Sequence, residues 1–118
     1  HLDPADADSL KLLTKLYLAQ KKWEQALRWG QEVLYVDVLD PETHQQLAES
    51  ALKLDRTEMA IRELKMVLHL DDKNEEIRFL LTKTLLDSGN KQEAITELDR
   101  LLQQNPGHVQ ALELKQKL

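Results

Sequence analysis

The chain has 118 residues, with 25 Leu against eight Val and Ile together, three Gly, three Pro and no Cys. Leu, Ala, Glu, Lys and Gln lose little rotamer freedom in a helix, whereas strands draw on β-branched residues, so this balance excludes a sandwich, a barrel or a parallel sheet. Zero Cys excludes a disulfide scaffold, a thiolate zinc site and a cysteine nucleophile, and 16 basic against 21 acidic residues give a net charge of −5 with no basic stripe for nucleic acid or a membrane surface.

The chain opens on His1 rather than Met and lacks a signal-like segment, which we read as a piece of a larger protein. Asp3-Pro4 suits a helix start, with Asp capping and Pro in the first turn. Leu10, Leu13, Leu16 and Tyr17 then lie at helical spacing and predict a first helix. Ala26, Leu27, Gly30, Val33 and Leu34 trace a second apolar stripe. Asp40-Pro41 predicts the next helix start.

From here the chain repeats itself with a period of 34 residues. Ala26 aligns with Ala60 and Ala94, Leu13 with Leu47 and Leu81, and Leu18 with Leu52 and Leu86. Leu34 aligns with Leu68 and Leu102, Leu27 with Ile61 and Ile95, and Val33 with Val67 and Leu101. Ala occurs only nine times, so its invariant column carries more weight than the Leu columns do.

The period divides the chain into units 7–40, 41–74 and 75–108, with 109–118 beginning a fourth, partial capping helix. In the second unit Asp71, Asp72 and Asn74 act as helix-start residues, with Glu75 and Glu76 near the positive helix end. The third unit repeats the stripes with Leu81 and Leu85, then Ala94, Ile95, Leu98, Leu101 and Leu102. Gly89-Asn90 marks its internal turn; the matching turns fall near Lys21 and Asp55, without Gly. Asn105-Pro106 predicts another helix start. A helix of about 14 residues with one apolar face is marginal alone, so stacked copies that share one elongated core imply a solenoid.

A helix-turn-helix period of this length with a fixed Ala in the second helix resembles the tetratricopeptide repeat. That family places a Leu and a small residue in its first helix, here Leu13-Thr14, Leu47-Ala48 and Leu81-Thr82. The family's usual aromatic or bulky residue three positions later is Tyr17 and Leu85 here, whereas Ala51 is small, which would let the middle unit pack more tightly. The second-helix Ala is Ala26, Ala60 and Ala94, and the large residue four positions on is Gly30, Leu64 and Leu98. Pro4 and Pro106 stand for the family's closing Pro. The resemblance implies an all-α fold: a right-handed superhelical solenoid of antiparallel helix pairs, about seven helices in one domain over 1–118. Two departures stand out. Gly30 leaves a hole that Trp29 would lean over and fill. Pro41 comes three residues later than the family pattern, so the preceding helix runs longer or exits differently.

No cofactor fingerprint is present, because Gly30, Gly89 and Gly107 stand alone. His1, His44, His69 and His108 lack a second ligand at helical spacing and read as surface or partly buried residues. Asp71, Asp72, Glu75 and Glu76 lack the alternation of a calcium loop. The remaining carboxylates read as solvent-facing, and the aromatics Tyr17, Trp23, Trp29 and Tyr35 read as core. Nothing in the sequence supports an enzyme.

By resemblance, the first helices line a groove for a peptide or partner domain. Its residues would be Asp8, Lys11, Lys15 and Ala19, then Glu42, Gln45, Glu49 and Lys53, then Glu76, Phe79, Lys83 and Asp87. Lys11, Lys15, Gln45, Glu49, Phe79 and Lys83 are the candidate binding set. Phe79 is either a peptide handle or a contact to the C-terminal helix. Family members that clamp the C-terminal carboxylates of heat-shock chaperones use Lys, Asn and Arg in three successive first helices. The matching places here are Lys11 and Lys15, then Gln46, then Glu76 and Leu80. With Glu and Leu where the third helix needs basic residues, no such clamp is expected. The alternative function is structural, or self-association through incompletely capped ends at Leu16, Leu18, Val109, Leu112 and Leu118.

Overall fold

The computed structural model describes residues 6–118. The expected helix start at Asp3-Pro4, the closing role of Pro4 and the surface reading of His1 lie outside the described residues. Seven helices follow one another: α1 Ala7–Ala19, α2 Trp23–Val36, α3 Pro41–Lys53, α4 Thr57–Leu70, α5 Glu75–Asp87, α6 Lys91–Gln104 and α7 Val109–Lys117. The odd-numbered helices begin at 7, 41, 75 and 109, and the even-numbered ones at 23, 57 and 91, so the period of the sequence is also the period of the backbone. Each helix packs on its neighbours in the chain, and the stack is elongated, 52 × 25 × 20 Å.

The turn inside each unit is the same motif three times. Lys21, Asp55 and Gly89 have φ of +59°, +59° and +85°. The amide of the following residue, Lys22, Arg56 or Asn90, donates to the carbonyl of Tyr17, Ala51 or Leu85 five residues back. These left-handed residues close each first helix in a Schellman turn, and two of the three are made without Gly.

The turns between units are equally periodic. Asp37, Asp71 and Asn105 end the second helices with φ near −145°, at −147°, −142° and −143°. Asp40, Asn74 and His108 occupy the N-cap positions that follow. Asn74 accepts from the Ile77 amide and His108 Nδ1 from the Ala111 amide. Asp40 precedes Pro41 as expected, but its carboxylate accepts from the Thr43 hydroxyl and caps no amide. Asn105-Pro106 is not a helix start: Asn105 ends α6, and the next helix opens three residues later on His108. Pro41 does not lengthen the helix before it, since α2, α4 and α6 each have 14 residues.

The Ala column is buried throughout, at 1%, 0% and 0% exposure for Ala26, Ala60 and Ala94. It permits the close crossing of the two helices in each unit. Leu47, Leu81, Val33, Val67, Leu101, Leu64 and Leu98 fill the core between them. Each such side chain contributes about 1.5–3 kcal/mol when taken from water. Gly30 leaves no hole. A Cβ there would lie 2.7 Å from Leu47 Cδ2 and 3.2 Å from its Cγ, so Leu47 already occupies the space and Trp29 is not needed to fill it.

Candidate functional site

The first helices present one face of the stack, with a buried polar layer beneath it. On the faces of α1, α3 and α5 the period lines up three rows. Asp8, Glu42 and Glu76 form one, Lys11, Gln45 and Phe79 the next, and Lys15, Glu49 and Lys83 the third.

At α1 the two lysines are held by carboxylates. Lys11 Nζ donates to Asp37 Oδ2 at 2.9 Å and lies 3.8 Å from Asp40 Oδ2. The hydrogen bond to Asp37 raises the Lys11 pKa above its usual 10.5. Partial burial opposes this, and the charges of Asp40, Asp37 and Asp8 add to it. Lys15 Nζ pairs with Glu42 at 3.2 Å. Both pairs reach from unit one to unit two or its entry turn, so these ammonium groups join neighbouring units.

Toward the C-terminal end the same face opens into two hollows on either side of α5. The first is about 440 Å³ and lies between α3 and α5, lined by Gln45, Glu49, Leu52, Lys53, Glu76 and Leu80 among others. The second is about 330 Å³ and lies between α5 and α7, lined by Glu76, Phe79, Leu80, Lys83, His108 and Gln110. Of the candidate set, Gln45 and Glu49 therefore share one hollow, Phe79 and Lys83 share the other, and Lys11 and Lys15 lie in neither.

Phe79 makes the contact toward the C-terminal helix that its sequence position suggested. It packs on the Leu98, Leu101 and Ala111 cluster, with its ring 5.6 Å from that of His108. Its half-exposed side still lines the second hollow. Lys83, one turn on, holds its ammonium 5.0 Å from the Phe79 ring centroid, a cation–π contact. Lys53 Nζ lies 5.8 Å from the Trp23 ring.

Beneath this face run two buried polar pairs that the sequence reading missed. His44 is buried, at 3% exposure. Its Nε2 faces the Val38 carbonyl at 2.7 Å and its Nδ1 faces Glu63 Oε2 at 2.5 Å. A carbonyl can only accept, so Nε2 carries the proton that donates to it. One unit on, Arg78 is also at 3% exposure. Its Nη1 donates to Glu97 Oε2 at 2.6 Å, and its Nη2 donates to the carbonyl and carboxylate of Asp72 at 3.0 and 2.9 Å. Arg100 holds the other oxygen of Glu97 at 2.9 Å.

His44 is thus no surface histidine, and Glu63 and Glu97 are no solvent-facing carboxylates. In unit one the same two places are Leu10 and Trp29. The joint change from an apolar pair to two polar pairs was the available signal.

Other departures concern the aromatics and the ends. Tyr35 is not core: it is 85% exposed, within an apolar run that includes Val36, Val38 and Leu39. At the N-terminal end the exposed pair is Leu12 and Leu16, whereas Leu18 is half-buried. Val109, Leu112 and Leu118 are exposed at the other end. Among the described residues no group of three acidic or imidazole side chains is placed to hold a metal. No helix there is long and apolar enough to cross a membrane.

A sequence model of the tetratricopeptide repeat matches residues 51–118. No curated protein matches the chain. Among solved structures, MamA superposes with a TM-score of 0.82 at 20% identity, covering 92% of this chain and 64% of that one. YrrB, described as a repeat protein of this kind with an unusual peptide-binding site, gives 0.82 at 21% identity over 92% of this chain and 56% of its own. The first repeat domain of Spaghetti (RPAP3), bound to the HSP90 peptide SRMEEVD, gives 0.78 at 19% identity over 99% and 93%. At these identities the likeness is one of fold. The chain spans less than two thirds of MamA and of YrrB.

Proposed function

The chain belongs to the tetratricopeptide repeat family, and from that premise we propose that it is a non-catalytic protein-interaction module. It holds a peptide or partner domain along the face of its first helices, around Lys11, Lys15, Gln45, Glu49, Phe79 and Lys83. It acts as one domain over 1–118, with repeats 7–40, 41–74 and 75–108 and a partial capping helix from 109.

The single observation that supports this reading is the pair of hollows flanking α5, where polar side chains surround half-buried Leu52, Phe79 and Leu80. Apolar floors with a polar rim suit the capture of an extended chain. YrrB and the Spaghetti domain, each named with a peptide or a peptide site, lend the fold a precedent.

A chaperone-tail clamp remains outside the proposal. Lys11 and Lys15 are paired with carboxylates, and the third first-helix offers Glu76 and Leu80 where a clamp needs cations. The test is pulldown from the source cell with the chain and with its E49K/L80Q variant, which alters the walls of both hollows. Loss of the recovered partners is the expected result, and unchanged recovery refutes this assignment of the groove.

Exposed Leu12 and Leu16 at one end and Val109, Leu112 and Leu118 at the other favour a second reading, self-association through the ends. Light scattering across concentration decides it: a mass that rises with concentration supports end-to-end association, and a constant monomer mass refutes it.

A further inference from the structure

The two hollows beside α5 differ in charge, and the difference selects a ligand. Glu49 and Glu76 stand on opposite walls of the α3–α5 hollow. Among the described residues neither carboxylate makes a salt bridge. Neither accepts a side-chain hydrogen bond there, although the adjacent Glu75 takes one from Asn105. Both are exposed, and between them the walls include half-buried Leu52 and Leu80. The one cation at this hollow, Lys53, lies beside the Trp23 ring. The α1 end of the same face, by contrast, has its lysines neutralised by Asp37, Asp40 and Glu42.

Resting on the groove assignment above, we infer that the α3–α5 hollow takes a basic peptide side chain. The apolar stem of a Lys or Arg would lie on Leu52 and Leu80 while its charged head reaches Glu49 and Glu76, the arrangement that long cationic side chains adopt on apolar surfaces. Arg fits best, since its guanidinium can meet carboxylates on both walls. The neighbouring hollow, with Phe79 on its wall and Lys83 above the ring, then receives an apolar residue of the same peptide. The partner is a segment with a basic residue close to an apolar one, opposite in sign to an acidic C-terminal tail.

The test is selection of a random dodecapeptide phage library on the whole chain. It is followed by fluorescence anisotropy of the recovered peptides on the chain and on its E49Q/E76Q, E49K/E76K and L80Q variants. We expect enrichment of Arg or Lys beside an apolar residue, about tenfold weaker binding to E49Q/E76Q, and weakening of wild-type binding by salt. Tenfold is the size expected for two partly exposed charge contacts of up to about 0.7 kcal/mol each. A parallel selection on E49K/E76K should return acidic peptides. Peptides that lose affinity for L80Q but are neutral or acidic, or are indifferent to E49Q/E76Q, overturn this inference and leave the groove assignment standing. Peptides that bind L80Q as well as the native chain, or no enrichment at all, overturn the groove assignment as well.

Discussion

His44 and Arg78 hold the same place in successive units, and each meets a buried glutamate nineteen residues further on, Glu63 and Glu97. Each also donates to a main-chain carbonyl six residues back, Val38 or Asp72. The two side chains therefore tie a first helix both to its own second helix and to the turn that enters the unit. Removing one member of such a pair strands the other, which costs about 3–5 kcal/mol. Glu97→Leu should cost about 3 kcal/mol in urea unfolding, because Asp72 still holds Arg78. The double variant R78L/E97L should cost clearly less than the two single losses summed, with a coupling of about 1–3 kcal/mol. Additive losses would mean that the pair does not act as a unit.

The Schellman residues give a second expectation. Lys21 and Asp55 adopt the left-handed conformation that Gly89 adopts in the third unit, and side chains there cost about 1 kcal/mol. Lys21→Gly and Asp55→Gly should each raise stability by up to about 1 kcal/mol, and Gly89→Ala should lower it by a similar amount. Thermal unfolding of the three variants checks the signs. A loss of stability in both Gly variants contradicts the account.

Gly30 gives a third. Leu47 occupies the space that a Cβ at Gly30 would enter. Overpacking of this kind costs about 1–3 kcal/mol, and the better helix propensity of Ala returns about 1. Gly30→Ala should therefore be neutral to destabilising by about 2 kcal/mol. On a Leu47→Val background the same change should stabilise. Urea midpoints of the four proteins measure this, and a stabilising single G30A shows that Leu47 moves aside freely.

The periodic part of the fold was legible because each column needs one property. Ala26, Ala60 and Ala94 must be small where two helices cross, and Leu13, Leu47 and Leu81 must be apolar. What was not legible depends on partners far apart in sequence. Glu63 and Glu97 read as solvent-facing because a helical Glu usually is, and only the matching change at His44 and Arg78 reveals their burial. Gly30 read as a hole because the reach of Leu47 is set by packing, not by spacing. The Asn105-Pro106 pair read as a start, although the backbone keeps its period and starts α7 on His108. Of the candidate groove, the helix faces followed from the period. The closure of Lys11 and Lys15 by carboxylates required the geometry of the entry turn.

Lys11 links that turn to pH. Its pKa is raised in the folded chain, chiefly by the hydrogen bond to Asp37. A raised pKa means that the folded state holds the proton more tightly than the unfolded state. The stabilisation is therefore complete below about pH 10.5, the ordinary lysine value, and is lost as pH climbs through and beyond it. Partly exposed pairs contribute at most about 1 kcal/mol, so the effect is small. The native chain should lose slightly more stability than Lys11→Met between pH 9 and 11.5 in parallel unfolding curves. Identical pH profiles would show that the pair carries no linkage.

The groove assignment is tested most directly by backbone amide chemical shifts of the labelled chain as a selected peptide is added. The account predicts that the largest changes fall on Gln45, Glu49, Phe79 and Lys83 and their neighbours in α3, α5 and the start of α7. Changes confined to the outer faces of α2, α4 and α6, around Tyr35, Arg62 or Lys65, would contradict it.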